Sequence, residues 1–162
     1  METFLIMKKH LLYTLAIVLT IDMGCSENNT SEIQETPIFP KGTKIDNENF
    51  TGIAWVTMLV EADSLNPMYA GNVRFEPGTR TNWHSHPAGQ LLIVTSGEGY
   101  YQERGQPKRI LHKGDAVKCP PDTPHWHGAT PTSEFTHIAI SSSQNGPTLW
   151  LEKVTDEVYS GN

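Results

Sequence analysis

The chain has 162 residues, enough for one domain plus an extension and short for two ordinary domains. Eleven prolines and thirteen glycines disfavour a helical bundle and suit short strands joined by turns. A formal net charge of −6 offers no electrostatic basis for binding nucleic acid, and two cysteines, Cys25 and Cys119, cannot build a disulfide framework.

Residues 7–21, MKKHLLYTLAIVLTI, place a basic start before an apolar run from Leu11 to Ile21. That run is short for a bilayer span and has the layout of an export signal, so residues 1–25 are read as one. Gly24-Cys25 follows, and then a polar stretch begins at Ser26. The arrangement resembles a bacterial lipoprotein signal, in which the cysteine is acylated and becomes the mature N-terminus. Asp22 departs from the aliphatic residue usual three places before that cysteine. The resemblance implies an exported protein in the periplasm or cell envelope, attached to the membrane through a lipidated Cys25; an ordinary secretory signal is the alternative. Residues 26–49, rich in Ser, Asn, Glu, Thr and Pro without periodicity, are expected to be a disordered polar tether. The folded domain is expected over residues 50–162. Cys119, before Pro120-Pro121, reads as a small core residue.

Within the domain, Trp55 to Glu61 alternates weakly as a first strand, and Tyr69 to Phe75 makes a second. Gly71, Val73 and Phe75 share one face of it by the period of two. Trp83 to His86 is short and extended. Gln90-LLIVTS is nearly continuous in apolar residues and reads as a strand buried on both faces. Gly97-Glu98-Gly99 is expected to turn the chain into Tyr100–Arg104, which returns through Arg109-Ile-Leu. Further strands are expected at Ala116–Cys119, from His125, over Glu134–Ser141 and from Leu149, with a helical turn at Asp156–Tyr159. Many short strands without a long amphipathic helix predict an all-β sandwich or barrel.

His84 and His86 stand two apart, so on an extended segment both point to the same face. Gln90 opens the next strand and can curl back towards that face, and His125 comes from a separate segment to complete the set. Three neutral imidazoles and one oxygen donor suit a divalent transition metal such as Mn, Fe or Zn. An amide at position 90 brings no charge, so a bound ion keeps its full divalent charge and acts as the stronger Lewis acid. His127, two beyond His125, also faces inward on a strand, as does His137 within Phe135-Thr-His-Ile-Ala-Ile. Inward histidines in apolar strands are costly unless bonded or functional, and beside a metal these two are candidates for general acid–base catalysis.

The spacing of these residues resembles the two cupin motifs. The first runs G-x5-H-x-H-x3-4-E-x6-G, and residues 78–97 match it except that Gln90 replaces the glutamate. The second runs G-x5-P-x-G-x2-H-x3-N; Gly114, Pro120 and His125 match, whereas Asp122 and Ala129 replace the glycine and asparagine. The resemblance implies a single jelly-roll β-barrel with a metal at its centre and pairing of copies through sheet edges into a homo-oligomer.

The segment His125-Trp126-His127-Gly128-Ala129-Thr130-Pro131-Thr132, with Thr136-His137, narrows the resemblance. It is similar to small single-domain cupins that include manganese-dependent bacterial hydroxynitrile lyases, and to cupin modules found beside carboxymuconolactone decarboxylase-like domains. That likeness implies manganese on His84, His86, Gln90 and His125, with His137 as catalytic histidine and His127 close by. It also implies a substrate pocket lined by Gly71, Val73 and Ser141, and non-oxidative lyase chemistry on a small oxygenated organic molecule. A metal-dependent dioxygenase and a non-catalytic small-ligand-binding cupin are the alternatives.

Overall fold

The structure is a computed structural model and describes residues 36–161. The export signal, Cys25 and the first part of the expected tether lie outside the described residues. Among these residues twelve strands and one short helix follow one another. They are β1 (Thr43–Lys44), β2 (Phe50–Thr51), β3 (Ala54–Val60), β4 (Met68–Phe75), β5 (Arg80–Thr81) and β6 (His84–Ser85). Then come β7 (Gln90–Glu103), β8 (Arg109–His112), β9 (Ala116–Cys119), β10 (His125–Ala129), β11 (Phe135–Ser142), β12 (Leu149–Trp150) and α1 (Asp156–Ser160). No helix among the described residues is long and apolar enough to cross a membrane.

All pairings are antiparallel, and the strands curl into the expected all-β jelly roll. One wall has the order β1-β3-β4-β11-β7-β9 and the other is built on β2, β5, β10, β7 and β8. β6 pairs with β10 on one side and β12 on the other. β1 already pairs with β3, Thr43 opposite Val56, so the stretch expected as a tether joins the sheet from Thr43 onward. A two-residue strand has no periodicity to betray it in the sequence.

β7 differs most from expectation. Gly97-Glu98-Gly99 does not turn the chain; the strand runs on to Glu103. Its first half pairs with β11 and its second half with β10 and β8, so β7 crosses from one wall to the other. The glycines permit that bend. Gly97 has a φ of +72°, and a side chain on Gly99 would collide with the Phe135 ring. Nor is the first half buried on both sides. Leu92 and Val94 are buried inside, whereas Leu91 and Ile93 on the outer face are 44% and 40% exposed. A continuous apolar run does not distinguish these two cases.

The barrel interior is filled by Phe75, Leu92, Val94, Tyr101, Leu111 and Phe135, with Cys119 buried among them as expected. Burying a side chain of this size contributes about 1.5–3 kcal/mol. A second, smaller core lies under α1, where Val154 and Tyr159 pack on Trp83 and Trp126. Thr155 caps α1 by accepting a hydrogen bond from the Val158 amide, and Gly161 ends it in the left-handed conformation. The Tyr159 hydroxyl donates to the Ala129 carbonyl at 2.8 Å, which ties the C-terminal segment to β10, the strand that carries His125 and His127.

Candidate metal and acid–base site

Five histidines meet inside the barrel, four of them on strands and His86 just past the end of β6. β6 and β10 are paired with His84 opposite His125, which brings those two rings to 4.4 Å between centroids. His86 follows at 5.3 Å from His84 and 5.7 Å from His125. Gln90, the first residue of β7, directs its side-chain Oε1 to within 3.3 Å of His125 Nε2. The four residues expected as ligands are thus neighbours, although they come from two short segments and a third strand.

Tautomers follow from the hydrogen bonds. His84 Nδ1 lies 3.0 Å from the Asn82 carbonyl and His125 Nδ1 lies 2.9 Å from the Thr123 carbonyl. A carbonyl only accepts, so both Nδ1 atoms carry the proton and donate it. The lone pair of each neutral ring is then on Nε2, the arrangement metal-bound histidines adopt when an outer partner fixes the ring. His86 follows the same pattern, with Nδ1 at 3.2 Å from the Thr148 hydroxyl and a buried Nε2 that has no hydrogen-bond partner among the described residues.

His127 and His137 differ. His127 lies beside His84 at 5.2 Å and against His137 at 4.8 Å, edge to face. His137 is fully buried, stacked on the Phe75 ring at 5.5 Å and 17°. Neither of its ring nitrogens has a hydrogen-bond partner among the described residues, nor does His127 Nδ1. Measured by ring nitrogens alone, His84, His125 and His127 form a compact triplet whose ligand atoms all lie within 4.8 Å of one another. Among the described residues, His112 stands apart, exposed on β8 beside Glu98.

Burial depresses the pKa of all five imidazoles, and for His84 and His127 the neighbouring rings add to the effect. His86 is lowered to about 4 and His137 to about 3. The cluster is therefore neutral at ordinary pH, with lone pairs free to bind a cation or a proton donor. Unpartnered buried nitrogens, an oxygen donor turned towards them and outward-tied Nδ1 atoms fit a divalent metal ion.

Gly71 and Val73 sit on the inner face of β4, in register with Ala139 and His137 of β11. Ser141 is opposite Gln90 and buried, its hydroxyl without a hydrogen-bond partner among the described residues. A cavity of about 380 Å³ beside the cluster is lined by Gln90 and Ser141 together with Met68, Leu91, Lys118 and Ile140; none of the five histidines, nor Gly71 or Val73, is part of its wall. Sequence reasoning did not find Thr148, Trp150 or Phe50. Trp150 pairs opposite His84 and packs its ring against it, tilted by 37° at 4.9 Å, with Phe50 at 5.8 Å from Trp150. A tryptophan 66 residues downstream of His84 carries no signal that it packs against it.

A family model described as a cupin domain matches residues 71–140. The chain is 45% identical over 111 residues to an (R)-mandelonitrile lyase of Granulicella tundricola, covering 68% of this chain and 85% of that enzyme. A cupin-like protein of Thermotoga maritima superposes with a TM-score of 0.74 at 52% identity, covering 78% of this chain and 96% of that one. A Klebsiella pneumoniae protein with a double-stranded β-helix domain shares the fold at a TM-score of 0.56 and 22% identity, covering 74% of this chain and 100% of its own. Fold, histidine cluster and relatives agree: the chain belongs to the cupin family.

Proposed function

We propose that the protein is a divalent-metal-dependent lyase that cleaves a small cyanohydrin into an aldehyde or ketone and hydrogen cyanide. The observation that carries this reading is His137, a buried imidazole with both nitrogens unpartnered, one ring away from the metal-ligand histidines. Its setting is that of a base kept for a ligand. The 45% identity to a mandelonitrile lyase supports the reaction class.

His84, His86, Gln90 and His125 would hold the ion, and manganese is the metal implied by the resemblance to hydroxynitrile lyases. When bound, the ion supplies Lewis acidity towards a hydroxyl oxygen. His127 is left out of the ligand set because its Nδ1 lacks the outer partner that orients the other three rings. His137 takes the hydroxyl proton. The C–O bond becomes a carbonyl as the C–CN bond breaks, and cyanide leaves with the electron pair. Protonated His137 then returns the proton to cyanide, so the imidazole is regenerated and all atoms balance. Burial that keeps His137 neutral also makes its cation short-lived unless an anion stands beside it, as cyanide does at that moment. The basic start and apolar run before Cys25 support an exported, envelope-associated location for this activity.

The test is elemental analysis of the purified protein followed by cleavage of mandelonitrile and of smaller aliphatic cyanohydrins by manganese-loaded protein. Cyanide release that vanishes on chelation and returns with Mn²⁺ is expected. Oxygen consumption by iron-loaded protein, with no cyanide release, would replace this reading with a dioxygenase.

A further inference from the structure

The chain between β11 and α1 returns along β6 and meets His84 through Trp150 and His86 through Thr148. The Ser143 amide donates to the Pro67 carbonyl at 2.9 Å, fixing the start of the segment. Gly146 lies against Pro87, where an added Cβ would sit 3.8 Å from the proline ring. β12 then pairs with β6, Leu149 opposite Ser85 and Trp150 opposite His84, and the Leu151 amide continues the ladder by donating to the Trp83 carbonyl at 2.8 Å. Between these anchors, the Thr148 hydroxyl meets His86 Nδ1 at 3.2 Å.

This contact has no equivalent at the other histidines. His84 and His125 are each oriented by a carbonyl of their own segment, two residues upstream, and a carbonyl permits one tautomer only. His86 is oriented from 62 residues away by a hydroxyl, which can accept or donate. If the hydroxyl donated, the neutral ring would carry its proton on Nε2, a buried N–H without a partner. The less costly arrangement has Nδ1–H donating to Thr148 Oγ1, which leaves the Nε2 lone pair facing the cluster.

We propose that Thr148 is a positioning residue for the metal site: by accepting from His86 Nδ1 its hydroxyl holds the tautomer that presents Nε2 to a divalent cation. The proposal rests on the reading of His86 as a ligand. Thr148 lies outside the proposed ligand set, and its contact with the cluster is through His86. Outer partners of this kind contribute about 10–100-fold to metal affinity.

The probe is Mn²⁺ binding to the full chain, measured by calorimetry for the wild type, Thr148→Val, Thr148→Ser, Thr148→Ala and His86→Ala. Thr148→Val, which keeps the shape and removes the hydroxyl, is expected to weaken Mn²⁺ binding about tenfold or more. Thr148→Ser should stay within about twofold of wild type, restoring the hydroxyl and hence the outer hydrogen bond. In the metal-free protein, ¹H–¹⁵N correlation of the imidazoles should report His86 protonated on Nδ1 in wild type and redistributed between nitrogens in Thr148→Val. A structural role limited to packing would not move that signal. Wild-type Mn²⁺ affinity in both Thr148→Val and Thr148→Ala, with weak binding in His86→Ala, would overturn the role of Thr148 and leave the ligand set standing. Equal weakening in Thr148→Val and Thr148→Ser would also overturn it, since packing and not the hydroxyl would then be responsible. Wild-type affinity in His86→Ala would remove the ligand assignment itself.

Discussion

Gln90 Oε1 and His125 Nε2 face each other at 3.3 Å, acceptor against acceptor. His125 Nδ1 donates to the Thr123 carbonyl, so Nε2 of the neutral ring has only its lone pair to offer. An amide oxygen and an imidazole lone pair at that distance are placed to serve one cation together. Replacing Gln90 by glutamate turns one of these dipoles into a full negative charge beside the same point. Gln90→Glu is expected to bind Mn²⁺ at least about tenfold more tightly while slowing cyanohydrin cleavage, because the added charge reduces Lewis acidity. Competition titration with a chelator and a cyanide-release assay read the two effects separately. Unchanged affinity would place Gln90 outside the ligand set.

His86 and His127 compete for the third imidazole position. The compact nitrogen triplet contains His127, whereas the outward-tied Nδ1 pattern picks out His86. Metal content after purification and Mn²⁺ reloading should fall to near zero in His84→Ala, His86→Ala and His125→Ala and remain stoichiometric in His127→Ala. Retained metal in His86→Ala combined with loss in His127→Ala would exchange their roles.

His137→Ala tests the base. The variant should keep its full metal content and lose about 10²–10⁴-fold in kcat/KM for cyanohydrin cleavage, the range a positioned proton-transfer group contributes. Loss of metal along with activity would mean that His137 holds the ion and is not a separate base.

Much of this site could be read from the chain, for reasons that differ by residue. His84 and His86 reveal a shared face by their spacing, and His125 and His127 repeat it, because a strand has a period of two. Register between β6 and β10, which makes His84 and His125 partners, is a tertiary fact with no local signature. The same holds for Thr148 and Trp150, whose relevance comes only from the return of the chain over β6. The Gly97–Gly99 pair misled because two glycines flanking a glutamate look like a turn. Here they let one strand bend between walls while the Phe135 ring occupies the space a side chain would need. The barrel was legible in outline, and its corners were not.

Acid should destabilise the metal-free protein through the buried imidazoles. His137 has a pKa lowered by burial from 6.5 to about 3. The unfolded chain accepts a proton near pH 6.5 that the folded chain refuses until about pH 3, so the unfolded state binds more protons throughout that window. Stability is therefore full above pH 6.5 and falls as the pH drops below it, by about 1 kcal/mol per pH unit for one such group. His86, lowered to about 4, adds to the loss. His137→Phe keeps an aromatic ring against Phe75 and removes one of these protons. Its urea midpoint should fall less steeply than that of the wild type between about pH 6.5 and pH 5. Parallel slopes for the two proteins would mean that His137 does not carry this penalty.

The crossing of β7 can be tested through the glycine that makes it possible. A Cβ on Gly99 would lie 2.4 Å from Phe135 Cγ and 2.6 Å from the Gly128 carbonyl oxygen. Neither neighbour can yield easily: Phe135 is fully buried in the core, and Gly128 belongs to the β10 backbone that aligns His125 and His127. Gly99→Ala should cost about 1–3 kcal/mol or more by overpacking. It should also weaken Mn²⁺ binding, because relief of the clash pushes β10 away from β7. Gly105→Ala is the control. Gly105, unlike Gly99, has positive φ, at +80°, but nothing lies within 4 Å of its added Cβ, so Gly105→Ala bears only a backbone cost of about 1 kcal/mol and leaves metal affinity unchanged. Urea denaturation and Mn²⁺ titration of the two variants make the comparison. If Gly99→Ala unfolds with the wild-type midpoint, the bend of β7 against Phe135 is not what sets the spacing of the two walls.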